Sequence, residues 1–451
     1  MIRICLLLLI YPFVNGCGSS SVKEITADTI QQTAPEVAPL TPGIVQAINA
    51  SDGSRFQLYV PAGLDTSAPA GVVVFLDPHA DGRLPLNYYK HIADSLHLVF
   101  AGSDVSGNGV SMQTISAHLD AVKTTLNQRL KLQSGNYYLC GFSGGARAAA
   151  ALAAQNGASG VVLCSAAPGD AVSESLKVAG VAGTGDMNYL EMRKWFESNQ
   201  SAGLYLFAGE HTWPPSAALS LALEAILIST GNASETIAAA YSDAAGKRID
   251  SLSANDCDLA AQLFTAVSGC LSKFPAQQKA LMNAKRSAIT GAPCVKQHSA
   301  KRSATEEIEK TLQTEIQQTI FSKDPVWWQE NASRLFEAKP GSGEEMMRKR
   351  VRGYASLLCY SYTTRAMKSN NPNGTDKLIT TYSIVDPENA EWAYLRACLD
   401  ARLGMPDLAF EALNKSVKLG FKDKVRAESE ADLTSLRADQ RWVSFITSIS
   451  L

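Results

Sequence analysis

The sequence predicts an α/β fold with a mostly parallel sheet flanked by helices, followed by an all-helical region. Up to about residue 232, short apolar runs bounded by glycine alternate with helical stretches, which is typical of parallel strands buried on both faces. Beyond that point the valine-rich runs stop, and helical segments with one polar face take over. A chain of 451 residues is long enough for two or more domains. We therefore expect a sheet domain over 46–232 and a helical domain over 233–451.

The first 16 residues predict a secretory signal peptide, because one positive charge precedes a short apolar core that ends in small residues. This core is too short to span a bilayer as a mature helix. The segment from Val14 to Cys17 resembles the bacterial lipobox, which implies cleavage before Cys17 and acylation of its thiol. An ordinary signal peptide with an incidental cysteine is the alternative. Residues 17–45 are rich in Ser, Thr, Ala and Pro and predict a flexible tether. The lipobox reading implies a lipid-anchored protein of the bacterial cell envelope, and the absence of an acidic cluster at 18–21 favours an outer-membrane anchor that faces the periplasm.

A serine stands at the sharpest turn that the sheet domain predicts. The apolar run Tyr137–Cys140 leads directly into the sequence G-F-S-G-G at 141–145, and an alanine-rich helical stretch follows. A strand, a glycine-bounded turn and a helix form the context in which G-x-S-x-G marks a nucleophile elbow. We therefore predict that Ser143 projects its hydroxyl at the carboxyl edge of the sheet.

An aspartate and a histidine follow two later strands of the predicted sheet. The run Val178–Ala182 leads to Asp186, and the run Leu204–Ala208 leads to His211. Each residue also has a structural alternative, because Asp186 suits a helix N-cap and His211 precedes a proline-marked helix start. Since the carboxyl ends of parallel strands share one edge, we expect both to meet the serine there. The sequence thus predicts a triad of Ser143 as nucleophile, His211 as general base and acid, and Asp186 as the residue that orients the imidazole.

The loop after the run Val72–Leu76 is predicted to supply one hydrogen-bond donor to a developing oxyanion. The N–H of Gly144, directly after the serine, is the other predicted donor. Pro78 has no N–H, so the loop donor must come from His79, Ala80 or Asp81.

With these residues in place, the region from about 50 to 232 resembles the α/β-hydrolase superfamily. Within it, the region looks like the esterase and polyhydroxybutyrate-depolymerase-like branch, which is related to dienelactone hydrolase. Ala80 departs from the pattern, since many relatives have glycine there. The resemblance implies a serine hydrolase that acts on carboxyl esters. We expect Asn188, Tyr189 and Trp213, which flank the acid and the base, to line the substrate pocket.

Charge and cysteine content exclude several other classes of protein. The net charge of −2 offers no basic surface, so we expect no nucleic-acid partner. No C-x-x-C spacing is present among the nine cysteines, and we expect neither a metal nor a cofactor. In an oxidising compartment a disulfide is favoured among Cys257, Cys270 and Cys294, and the pairing stays open. Cys140 and Cys164 lie in predicted strands and are expected to be buried thiols.

The helical domain contains one segment with a readable pattern, over residues 386–420. Pro387 marks a helix start, Gly404 marks its end, and Pro406 begins a second helix. With small residues at Ala397 and Ala409, where the two helices must touch, this segment resembles a tetratricopeptide repeat. Such repeats imply a concave surface for a peptide or protein partner. The alternative is a generic helical bundle packed against the sheet domain.

Two functions from different classes follow from these patterns. The first is a membrane-anchored serine hydrolase, with carboxyl esters as the favoured substrates and an acyl-enzyme on Ser143. Peptide cleavage stays open within this class, because the same triad serves both reactions. The second is a non-catalytic lipoprotein whose helical half binds a peptide or protein partner.

Overall fold

The computed structural model describes residues 39–170, 172–199 and 202–449. The predicted signal peptide, Cys17 and the predicted tether as far as residue 38 lie outside these residues. Residues 41–451 group into one compact unit. Among the described residues, no helix combines the length and the apolar character that crossing a bilayer requires.

Eight strands form one sheet in the order β1-β2-β4-β3-β5-β6-β7-β8. The first two strands pair antiparallel, β2 pairs antiparallel with β4, and all other neighbours are parallel. This arrangement and the helical region after it confirm the predicted fold class. The strands are β1 Val45–Asn49, β2 Arg55–Tyr59, β3 Ala70–Leu76, β4 Leu98–Ser103, β5 Leu132–Phe142, β6 Gly160–Cys164, β7 Lys177–Gly183 and β8 Gly203–Phe207.

Four helices connect strands of the sheet, and a fifth follows β8 and packs on the same core. Strands β3 and β6 contain no polar side chain and are fully buried. Burial on both faces explains why these segments lack the alternation of a half-exposed strand. The helices are α1 Arg83–Leu96, α2 Met112–Arg129, α3 Gly144–Leu152, α4 Tyr189–Ser198 and α5 Ser216–Thr230.

Eleven helices, with two short 3₁₀ turns, make up the described part of the chain after residue 232. They are α6 Glu235–Asn255, α7 Cys257–Ser268, α8 Ala276–Thr290, α9 Pro293–Thr319, α10 Pro325–Phe336, α11 Glu345–Lys368, α12 Pro372–Val385, α13 Ala390–Arg402, α14 Pro406–Lys418, α15 Lys424–Ser429 and α16 Gln440–Ile449. Helices α13 and α14 pack on each other, and Ala397 and Ala409 are both fully buried.

The hydrophobic core of the sheet does not stop at the predicted boundary near residue 232. It continues through α6, α7 and α8, where Tyr241, Phe264 and Met282 are buried in the same cluster as the sheet residues. A second core begins at Leu312 and runs to Ile449. Cys257 pairs with Cys294, one of the pairings left open by the sequence, and joins the start of α7 to the start of α9.

Candidate active site

Ser143 occupies a strained turn between β5 and α3. Its backbone has φ 52° and ψ −120°, a left-handed region that side chains other than glycine rarely adopt. Glycines two residues before and after it permit this geometry. A Cβ on Gly141 would collide with the carbonyl of Gly145, and a Cβ on Gly145 would collide with the carbonyl of Leu76. The strand and the helix therefore approach closely enough to present the serine hydroxyl at the carboxyl edge of the sheet.

The three predicted triad residues meet at this edge. The Ser143 Oγ lies 3.0 Å from His211 Nε2, and His211 Nδ1 lies 2.9 Å from Asp186 Oδ1. The Asp186 side chain is fully buried, whereas the His211 side chain is 21% exposed. With Nδ1–H donating to the carboxylate, Nε2 is left as an acceptor for the serine hydroxyl. The arrangement can transfer a proton from the serine and return it to a leaving group.

Asn188 holds the aspartate rather than facing a ligand. Its backbone N–H donates to Asp186 Oδ1 at 2.7 Å, and its side-chain Nδ2 donates to the carbonyl of Ser165 at 2.8 Å. The other carboxylate oxygen, Oδ2, is buried and has no hydrogen-bond partner in the described part of the chain. One carboxylate oxygen thus accepts both hydrogen bonds that orient the acid.

Trp213 packs on Phe142, which in turn contacts the His211 ring, and is hydrogen-bonded to the loop after β3. The rings of Trp213 and Phe142 stack with centroids 5.3 Å apart, and Phe142 lies 4.9 Å from the His211 ring. The indole Nε1–H donates to Asp77 Oδ2 at 2.8 Å. The structure therefore gives Trp213 a supporting position, with its polar atom already engaged.

The N–H groups of His79 and Ala80, two predicted oxyanion donors, are engaged within their own loop. The His79 N–H donates to Asp77 Oδ1 at 2.8 Å, and the Ala80 N–H donates to the Asp77 carbonyl at 3.1 Å. Asp77 is an Asx-turn residue, which places its side chain against the N–H two residues later. Burial raises the pKa of Asp77, but hydrogen bonds from His79 and Trp213 outweigh burial and leave the pKa below its usual value. Neither N–H is free in this conformation to bind an oxyanion.

The N–H of Gly144 is in the opposite situation. It donates to no acceptor within residues 39–170, 172–199 and 202–449. It stands at the first position of α3, where an amide has no partner inside the helix. This N–H is therefore available beside the serine, and its role as an oxyanion donor stays a prediction.

Asn108 is a residue at the site that sequence reasoning missed. It lies on the exposed loop after β4, and its backbone N–H donates to the Pro78 carbonyl at 2.7 Å. Its side-chain amide lies so close to Gly144 that a Cβ there would collide with it. The strand-end rule that selected Asp186 also points to this loop, because β4 ends at Ser103 on the same edge of the sheet.

Tyr189 lies at the contact between the sheet region and the helical region. Its ring is buried, its hydroxyl lies 3.3 Å from Glu306 Oε1, and the Arg350 guanidinium lies 4.4 Å from the ring centroid. Tyr189 is therefore covered by α9 and α11 rather than open to a ligand. Among the described residues, no group of three or more His, Cys, Asp or Glu side chains is arranged to hold a metal ion.

No protein-family model matches the chain, and no curated protein matches it in sequence. Solved structures resemble its sheet region. A feruloyl esterase module from Clostridium thermocellum is 12% identical, with 38% of this chain and 82% of that chain covered and a TM-score of 0.33. An S-formylglutathione hydrolase from Staphylococcus aureus is 14% identical, with coverages of 41% and 95% and a TM-score of 0.34. An α/β serine hydrolase without a lid from Xanthomonas campestris is 16% identical, with coverages of 42% and 96% and a TM-score of 0.33.

Proposed function

We propose that this protein is a serine hydrolase that cleaves carboxyl esters through an acyl-enzyme on Ser143. One observation carries the proposal: the Ser143 hydroxyl, the His211 ring and the Asp186 carboxylate form a continuous hydrogen-bonded series, with distances of 3.0 and 2.9 Å. The strained backbone of the serine supports it, because strain of this kind concentrates at functional sites.

In the first half of the reaction, His211 Nε2 takes the proton of the Ser143 hydroxyl while Oγ attacks the carbonyl carbon of the ester. The resulting oxyanion accepts a hydrogen bond from the Gly144 N–H. The intermediate then collapses, the carbon–oxygen bond to the alcohol breaks, and the imidazolium returns its proton to the departing oxygen. The buried negative charge of Asp186 stabilises the imidazolium between these two steps.

In the second half, a water molecule gives a proton to His211 and attacks the acyl carbon. Collapse of this intermediate breaks the bond to Oγ, returns the proton to Ser143 and releases the carboxylic acid. Peptide cleavage would need the same groups, so the triad alone does not distinguish the two reactions. Assays with both ester and peptide substrates are needed to test the preference for esters.

The test is hydrolysis of short-chain p-nitrophenyl esters by the full chain in detergent. Wild type is expected to turn over, and Ser143→Ala is expected to lose turnover by about 10⁴-fold or more. Ser111→Ala is the matched control, because Ser111 caps α2 and is not part of the candidate site. Activity retained in Ser143→Ala would discard the nucleophile. Absence of hydrolysis across a broad ester and peptide panel would favour the binding lipoprotein instead.

We further propose that acylated Cys17 anchors the protein in the bacterial cell envelope, on the resemblance of Val14 to Cys17 to a lipobox. Metabolic labelling with a clickable palmitate analogue should label the wild type, whereas Cys17→Ser should be unlabelled and recovered in the soluble fraction. Label retained by the Cys17→Ser variant would exclude this attachment site.

A peptide or protein partner for the helical half is likewise a proposal. It is supported by the α13–α14 pair, whose buried Ala397 and Ala409 let the two helices pack closely, as in repeats that bind peptides. Cross-linking in cells followed by mass spectrometry of the captured species tests it, and capture that is unaffected by substitutions on α13 and α14 would contradict it.

A further inference from the structure

We infer that helix α11 is part of the catalytic apparatus and that Arg350 is a positioning residue for the loop that carries Asp186. This inference rests on the proposed function. It assigns to the helical region a role in hydrolysis itself, rather than a separate task on a separate domain.

Arg350 takes part in a buried ion pair of the helical region and also contacts residues 184–189, the loop that carries Asp186, called the acid loop below. Its Nε lies 3.0 Å from both carboxylate oxygens of Glu309 on α9, and the two side chains are 7% and 0% exposed. Its Nη1 donates to the carbonyl of Thr184 at 2.7 Å, two residues before Asp186. The guanidinium also covers the Tyr189 ring, three residues after Asp186, at 4.4 Å. One rigid, fully charged side chain therefore contacts the acid loop on both sides of the catalytic carboxylate.

Because Arg350 and Glu309 are buried, their contact opposes movement of the acid loop away from α11. A buried charge needs its partners, because water is not available to replace them. Glu309 satisfies the charge of Arg350, and the Thr184 carbonyl takes one of the remaining N–H groups. Movement of the loop away from α11 would leave that N–H unsatisfied, so the ion pair opposes such movement.

Three further residues of α11 lie against the residues next to Asp186 or next to His211. A Cβ on Gly185 would lie 2.7 Å from Met346 Sδ, and a Cβ on Gly353 would lie 3.2 Å from the Cβ of Met187. Lys349 Nζ lies 3.4 Å from Glu210 Oε1, directly before His211. Successive turns of one helix thus contact the residues adjacent to the acid and to the base.

The contacts from α11 hold the acid loop, and with it Asp186, in position against the sheet. Asp186 must hold the His211 ring to within about half an ångström for proton transfer, and displacements near 1 Å cost on the order of 10²-fold in rate. The loop from 184 to 189 has Asn188 as its anchor from the sheet side. Helix α11 anchors the same loop from the opposite side, through the hydrogen bond from Arg350 to the Thr184 carbonyl.

Arg350→Lys tests the inference, because lysine keeps the charge but not the planar set of donors. We expect kcat to fall about 10–100-fold with KM changed by no more than about two-fold. Arg402→Lys is the matched control. Like Arg350, Arg402 pairs with a carboxylate through two N–H groups, here that of Asp432, and donates a hydrogen bond to a backbone carbonyl, here that of Met367. All three residues lie within the helical region, away from the acid loop. It should lower thermal stability without lowering kcat.

A second pair of variants avoids the buried charge. Gly353→Ala places a methyl group 3.2 Å from the Cβ of Met187, so the contact between α11 and the acid loop must adjust by a few tenths of an ångström. Gly246→Ala makes the same change inside α6, where the nearest neighbour, Lys285, lies at 3.5 Å. We expect kcat to fall about 3–10-fold in Gly353→Ala and to be unchanged in Gly246→Ala. Both variants gain helix propensity, so loss of folding is not the expected cause.

Hydrogen exchange separates this inference from the proposed function. Amides of residues 184–189 should exchange faster in Arg350→Lys and at the wild-type rate in Arg402→Lys. Wild-type exchange in that segment, or an unchanged kcat in both Arg350→Lys and Gly353→Ala, would overturn the positioning role and leave the hydrolase intact. A wild type that hydrolyses no ester would overturn the proposed function, whatever the exchange result.

Discussion

The substitution Asp186→Asn removes the charge of the carboxylate that we propose as the triad acid and keeps an acceptor for its hydrogen bonds. In the structure, one oxygen of Asp186 accepts from both His211 Nδ1 and the Asn188 N–H, at 2.9 and 2.7 Å. The amide oxygen of asparagine can accept the same two bonds, and its NH₂ group then occupies the position of Oδ2, which has no partner in the part of the chain that the structure describes. In this rotamer the imidazole keeps its orientation, while the negative charge is lost and an NH₂ group takes the buried position of Oδ2.

The magnitude follows from Coulomb's law. The delocalised charges of carboxylate and imidazolium are centred about 4 Å apart, which gives about 4 kcal/mol at an effective dielectric constant of about 20. An effective dielectric constant of about 20 is used even though Asp186 is fully buried, because this value describes charges in proteins best. Water cannot take over the role of the lost charge at this buried position. A loss of about 4 kcal/mol in the transition state corresponds to a decrease of about 10³-fold in kcat/KM.

The assay is hydrolysis of p-nitrophenyl acetate at neutral pH, with circular dichroism to show that the variant is folded. Asp400→Asn is the control, because Asp400 is a buried aspartate of α13 and makes no contact with the candidate site. It should leave kcat/KM unchanged. A decrease of less than about 10-fold in Asp186→Asn would refute the assigned role, since the buried charge would then not stabilise the imidazolium.

Three further predictions concern other parts of the molecule. Asn108→Ala should change kcat by less than about two-fold, because the atom of its side chain nearest Gly144 is the amide oxygen, which accepts hydrogen bonds and cannot donate to an oxyanion; a decrease of about 10²-fold in steady-state assays would contradict this. Burial beside a largely apolar cavity of about 490 Å³ raises the pKa of Glu224 from 4.5 to about 7. The folded protein therefore holds this proton more tightly than the unfolded chain does. The free energy of unfolding is expected to fall as the pH rises from about 4.5 to about 7. Glu224→Gln should therefore stabilise the protein by about 1–2 kcal/mol at pH ~8 and by little at pH ~4, as measured by urea unfolding, after a discount for partial exposure. Replacing both Cys257 and Cys294 by serine should cost about 3–4 kcal/mol in the same urea assay, because the pair closes a loop with a sequence separation of 37 residues; a loss below about 1 kcal/mol would contradict this.

The residues that sequence reasoning brought together were those whose positions follow from strand ends. Ser143, Asp186 and His211 each lie within four residues of the end of a strand, and parallel pairing brings those ends to one edge. The glycines at 141 and 145 gave a local signal for the elbow, because only a small residue permits the close approach of strand and helix. These features depend on short stretches of sequence and on one topological rule.

The residues whose positions were not foreseen depend on contacts between distant parts of the chain. Tyr189 is adjacent to the acid in sequence, but Arg350 and Glu306 cover it from the helical region. The engagement of the His79 N–H by Asp77 did have a local signal, since an aspartate two residues before an N–H favours an Asx turn. The extension of the sheet core into α6–α8 had none, because amphipathic helices do not reveal which surface they pack against.

The most direct test of the central claim is to treat the intact protein with a fluorophosphonate probe and to map the adduct by peptide mass spectrometry. We predict a single covalent adduct on Ser143, formed at a rate that falls in Asp186→Asn, with no adduct in Ser143→Ala. An adduct on another residue, or no adduct on a folded wild-type protein, would contradict the account.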